Sequence, residues 1–110
     1  LTQDHSLVNE LVQKGELTPE EAENHPRRNI LTRALGISAS PQIDVLHFSV
    51  QKGDLLLLCT DGLYNQVHEG ELADVLAGKG LLRVKAEKMV NLALQRGGND
   101  NITVVLVQYA

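Results

Sequence analysis

Five consecutive apolar residues, Leu55-Leu56-Leu57-Leu58-Cys59, run from a Lys52-Gly53 turn to an abrupt stop at Thr60-Asp61-Gly62-Leu63. The run has the length of a strand, and its lack of polar alternation predicts burial on both faces. A chain holding such a strand must bring layers to cover it. Residues 71–77 carry Leu72, Val75 and Leu76 on one helical stripe, followed by Gly78 and Gly80. Residues 82–96 predict the longest helix, with Leu82, Ala86, Met89, Val90, Ala93 and Leu94 facing a core. Arg96 and Gly97 end it with a cation near the negative helix terminus and a glycine cap. After Gly98-Asn99-Asp100-Asn101, residues 102–109 predict a last, β-branched strand. The chain has 110 residues, of which 43% are apolar and 22% charged. That is enough for one domain with a packed core.

The N-terminal portion is more polar. Leu7, Val8, Leu11 and Val12 share one face of a helix over 6–14, which Gly15 can cap. Thr18-Pro19-Glu20-Glu21 predicts a second helix: Thr18 caps it, Pro19 takes the first helical position, and Glu21 closes a capping box. Pro26 ends that helix near Asn24. These two helices read as a flap beside a core. Residues 29–35 predict a short strand ending at Gly36. Residues 42–50 predict another, with Leu46, Phe48 and Val50 on one face and Ile43, Val45 and His47 on the other. The order of elements implies an α+β fold with a mainly antiparallel sheet.

Ten Lys and Arg against fourteen Asp and Glu give a net charge of −4. That sign argues against a nucleic-acid or anionic-membrane surface, which needs clustered positive charge. No apolar run approaches the length of a membrane helix, and the first residues lack the pattern of a signal peptide. The single cysteine, Cys59, cannot form an internal disulfide, so the expected setting is reducing and cytoplasmic. The missing initiator Met, with an opening that reads as the end of a strand, suggests a fragment.

Asp61 stands where the apolar strand stops, and Asp100 stands in a loop just before the last strand. If the two strands are neighbours, both carboxylates converge at one end of the sheet. Paired carboxylates there suit magnesium or manganese, hard cations that prefer oxygen ligands. Taken singly, each aspartate reads as a turn residue, since Asp-Gly and Asn-Asp-Asn are ordinary turn compositions. Asp4, with Ser6, reads as a cap for the first helix. Cys59 reads as an inert buried thiol, and Arg27, Arg28 and Arg33 as a solvated cluster more readily than as a phosphate site. His5, His25, His47 and His68 show no metal-ligand spacing, and there is no phosphate-binding glycine loop.

Five segments in order alter the weight of these readings: Leu1-Thr2-Gln3-Asp4-His5-Ser6; His25-Pro26-Arg27-Arg28-Asn29; Thr32-Arg33-Ala34-Leu35-Gly36; Gly53-Asp54 through Cys59-Thr60-Asp61-Gly62-Leu63; and Gly97-Gly98-Asn99-Asp100-Asn101-Ile102-Thr103-Val104. Together they resemble the C-terminal part of bacterial metal-dependent serine/threonine phosphatases of the protein phosphatase 2C family, over essentially all of residues 1–110. The resemblance implies the C-terminal portion of an antiparallel β-sandwich flanked by helices, with a small helical flap over about 13–29. It implies that Asp61 and Asp100 bind a two-metal manganese or magnesium centre and that Asp4 helps hold a third metal. It also implies hydrolysis of phosphoserine and phosphothreonine by a metal-activated water, without a covalent intermediate. The partners it implies are phosphorylated proteins and a cognate serine/threonine kinase.

Other parts of that family's site have no match here. They are a further acidic ligand, an Asp-Gly segment that bridges the metals, a phosphate-binding arginine and a histidine general acid. The isolated chain is therefore expected to be inactive. A non-catalytic module that binds phosphoproteins or a kinase is the alternative reading. The apolar faces of the two strands outnumber the helices available to cover them, which predicts a homodimer or strand-swapped dimer.

Overall fold

The computed structural model describes residues 1–110, which form two compact units, Leu1–Phe48 and Ser49–Ala110. The fold mixes helices with an antiparallel two-stranded sheet, as the α+β reading expects.

In the second unit, β1 (Leu55–Cys59) pairs with β2 (Val104–Gln108), from Leu55 opposite Gln108 to Cys59 opposite Val104. Backbone bonds lengthen the ribbon at both ends. The Tyr109 amide donates to the Asp54 carbonyl (3.0 Å), and the Thr60 amide donates to the Thr103 carbonyl (3.1 Å). The Lys52-Gly53 turn forms as expected, with Gly53 at φ +95°, a conformation open to glycine.

One face of the ribbon is covered. Leu57, Cys59, Ile102, Val104 and Leu106 pack on a core of Leu63, Val67, Leu72, Met89 and Ala93. That core comes from α4 (Glu69–Ala77), α5 (Leu82–Gln95) and the short α3 (Asp61–Tyr64) with the turn after it. The expected burial of both strand faces is corrected here: Leu58, Val105 and Val107 are 56%, 51% and 46% exposed. These residues alternate with the covered ones, and the helices form a layer on one side only.

Helix ends follow local chemistry. The Glu71 side chain accepts from the His68 amide (3.1 Å) in a capping box that starts α4. Lys85 Nζ donates to the Leu76 carbonyl (2.8 Å) and ties α5 to the end of α4. Arg96 caps α5 and grips Glu71 with two guanidinium nitrogens, while also donating to the Gln66 carbonyl (3.0 Å). Leu94, expected on the core stripe, is 55% exposed.

In the first unit, α1 spans Leu7–Gln13, with the Ser6 hydroxyl accepting from the Asn9 amide (3.2 Å) and Gly15 at φ +76° behind it. In α2 (Pro19–Glu23), Thr18 accepts from the Glu21 amide (3.2 Å) and Pro19 occupies the first turn. The strand expected over 29–35 is reduced to one bridge, Ser6 with Leu31. Residues 42–50 form no strand at all, and Ile43 and Val45 are mostly exposed. The reason for both corrections is pairing: a strand needs a partner for its amides and carbonyls, and these segments find no ladder within the chain.

Candidate metal centre

Thr60 builds the end of the ribbon at which Asp61 and Asp100 stand. Its hydroxyl accepts from the Thr103 amide (3.0 Å) and donates to the Asn101 carbonyl (3.2 Å). One side chain thus ties the chain leaving β1 to the loop entering β2. Asp61 follows at once as the first residue of α3, and its carbonyl accepts from the Asn65 amide (3.0 Å). The two residues behind it, Gly62 and Leu63, are buried, Leu63 completely. A side chain at position 62 would overlap the Asn101 carbonyl oxygen and press on Ile102 at 3.3 Å, so only glycine lets the two loops approach this closely. Across the contact, Asp100 Oδ1 accepts from the Asn101 amide (2.7 Å), which fixes the carboxylate against its own loop.

Two sequence-named carboxylates, Asp61 at the start of α3 and Asp100 in the loop entering β2, therefore stand at one end of β1 and β2, and both are exposed. The third, Asp4, belongs to the other unit. It precedes the Ser6 cap, and its carbonyl accepts from Asn9 Nδ2 (2.9 Å). Cys59 is half-buried at the end of β1, and burial pushes its thiol pKa up, away from nucleophilic use.

Sequence reasoning passed over Thr60, although a hydroxyl residue between an apolar strand and Asp-Gly was the visible signal. It also passed over Asp44. This carboxylate bonds His5 Nε2 and Arg33 Nη1, each at 2.7 Å. Arg33, read as part of a solvated cluster, is thus engaged in an ion pair. The Arg33 guanidinium first, and His5 second, hold the Asp44 carboxyl below the usual carboxylate range.

The donor set suits a hard divalent cation in kind, being carboxylate oxygens on braced loops. It is incomplete in number, because nowhere does the chain gather three His, Cys, Asp or Glu side chains into a cation-holding group. Asp61 and Asp100 fit as part of a ligand set that needs further oxygen donors.

Residues 12–110 match the family model described as Stage II sporulation protein E (SpoIIE). The chain belongs to the SpoIIE/PP2C-type phosphatase family. Among members of that family, it is 49% identical over 108 residues to the serine/threonine phosphatase stp of Listeria innocua, covering 98% of this chain and 43% of that protein. A solved structure of the Streptococcus agalactiae serine/threonine phosphatase (S. agalactiae) matches with a TM-score of 0.90 at 45% identity, over 100% of this chain and 46% of that one. The catalytic domain of the phosphatase PstP, solved with two manganese ions, matches with a TM-score of 0.78 at 34% identity, over 98% and 44%. The chain spans less than half the length of these SpoIIE/PP2C-type relatives. No helix in it is long and apolar enough to cross a membrane.

Proposed function

We propose that this chain is the C-terminal part of a metal-dependent phosphatase that hydrolyses phosphoserine and phosphothreonine in proteins. The observation that carries the reading is the Thr60 clamp, which ties the chain entering α3, where Asp61 stands, to the loop that carries Asp100 at one end of the ribbon. Family membership supports it. In this reading Asp61 and Asp100 are ligands of a two-metal manganese or magnesium centre, and Asp4 is a ligand of a third. The metals supply positive charge for the phosphoryl group and lower the pKa of water. The chain's own contribution is placement. Two anionic side chains, one at the start of a short helix and one on a braced loop, lose little freedom when a cation binds, and their negative charge offsets its own.

Residues 13–29 serve in this proposal as a small helical flap. The substrates are phosphorylated proteins, a cognate serine/threonine kinase is the counterpart enzyme, and the setting is cytoplasmic. The isolated chain pairs with a second copy through its uncovered strand face.

The test is hydrolysis of a phosphothreonine peptide by the full-length protein with manganese, with magnesium and with a chelator. Turnover should require the cation, fall about a hundredfold or more in Asp61→Asn and Asp100→Asn, and fall less in Asp4→Ala. Full turnover in Asp100→Asn would reduce that loop to an ordinary turn.

A further inference from the structure

The flap leaves and rejoins the chain through two short legs. They are held by one bridge, Ser6 with Leu31, made of two backbone bonds: Leu7 amide to Ile30 carbonyl (3.0 Å) and Thr32 amide to His5 carbonyl (2.9 Å). Little else secures them, since Val8 and Ser6 are the buried residues of this unit. A root this short, over so small a core, opens locally at low cost unless something outside the ladder braces it.

Asp44 is in position to do so. Its Oδ2 meets His5 on the entering leg, and its Oδ1 meets Arg33 just past the leaving leg, both at 2.7 Å. Each carboxylate oxygen takes one leg, and Asp44 itself comes from a third segment, 39 residues from His5 and 11 from Arg33. The next residue back from His5 is Asp4, whose carbonyl is already held by Asn9. We infer that Asp44 is a positioning residue: its carboxylate locks the two legs of the flap together and, through His5, fixes the backbone that carries Asp4.

The brace itself follows from geometry alone, and only its bearing on Asp4 as a ligand rests on the phosphatase reading. Single exposed charge pairs contribute little to global stability. Here the carboxylate opposes a local opening with few other contacts against it, and two pairs share one acceptor group. The effect should therefore be local to the legs rather than spread over the molecule.

Amide hydrogen exchange in the full-length protein separates these outcomes. In Asp44→Asn and Asp44→Ala, exchange at the Leu7 and Thr32 amides should speed up roughly three- to tenfold, the range of one or two exposed pairs. The Thr60, Leu63 and Val67 amides of the other unit should not change. Asp44→Glu, which keeps the charge on a longer arm, should restore most of the protection. Unchanged exchange at Leu7 and Thr32 in both variants would overturn the inference. So would an equal acceleration in both units, or a failure of Asp44→Glu to restore protection. Because exchange needs no turnover, the brace and the phosphatase reading stand or fall separately.

Discussion

The Thr60 hydroxyl carries one proton and serves two backbone groups, donating to the Asn101 carbonyl and accepting from the Thr103 amide. Thr60→Val keeps the β-branched shape and removes both bonds. At about 0.5–1.5 kcal/mol for each neutral bond, the variant should lose about 1–3 kcal/mol of stability. A lowered urea midpoint with an unchanged slope would show it. Gly62 poses the opposite problem, because an added methyl must displace the Asn101 carbonyl or move α3. Gly62→Ala should cost about 1–3 kcal/mol, as overpacking does. It should also weaken manganese binding by spreading the loops of Asp61 and Asp100. A Gly62→Ala protein as stable as the parent would mean that the loops approach less closely than the structure has them.

At the scale of elements, α4 and α5 are joined by a charge pair as well as by their core. The Arg96 guanidinium beside Glu71 pulls its carboxyl from 4.5 down to about 2, helped by the His68 amide. A lowered folded-state pKa adds stability that is fully present above the unfolded value and fades as pH falls through the folded one. Glu71→Gln should therefore be less stable than the parent at neutral pH. The gap should close from about pH 4.5 downward and vanish only below about pH 2, as followed by urea midpoints across that window. Elements of this kind were legible in the sequence where their chemistry is local. Ser6, Thr18 and Gly15 announce the ends of α1 and α2, and Arg96 with Gly97 the end of α5, because caps involve neighbours in the chain. The strands expected over 29–35 and 42–50 depended on distant partners, which no local pattern reveals. In α3 an Asp-Gly pair that reads as a turn starts a four-residue helix, because Leu63 is drawn into the core. The candidate site follows the same division. Asp61 and Asp100 could be named from their segments, whereas the Thr60 clamp and the meeting of His5, Arg33 and Asp44 depend on contacts across 41, 43, 39 and 11 residues.

At the scale of the whole molecule, an uncovered ribbon face and a pair of candidate ligands each have a consequence. Leu58, Val105 and Val107 present one contiguous side of β1 and β2 to water. Apolar sheet faces of this kind are usually covered by another layer or another chain. The isolated chain should self-associate in sedimentation equilibrium, and Val105→Lys with Val107→Lys should shift it toward monomer. It should also hydrolyse p-nitrophenyl phosphate with manganese no faster than its own Asp61→Asn variant, because two carboxylates alone do not complete a two-metal site. The central claim is that these two carboxylates hold metal. Calorimetric titration of the full-length protein with manganese tests it most directly, because it reads binding without turnover. The account predicts at least two sites in the parent protein, with one site lost or its affinity reduced tenfold or more in both Asp61→Asn and Asp100→Asn. Identical stoichiometry and affinity in the parent and both variants would contradict it.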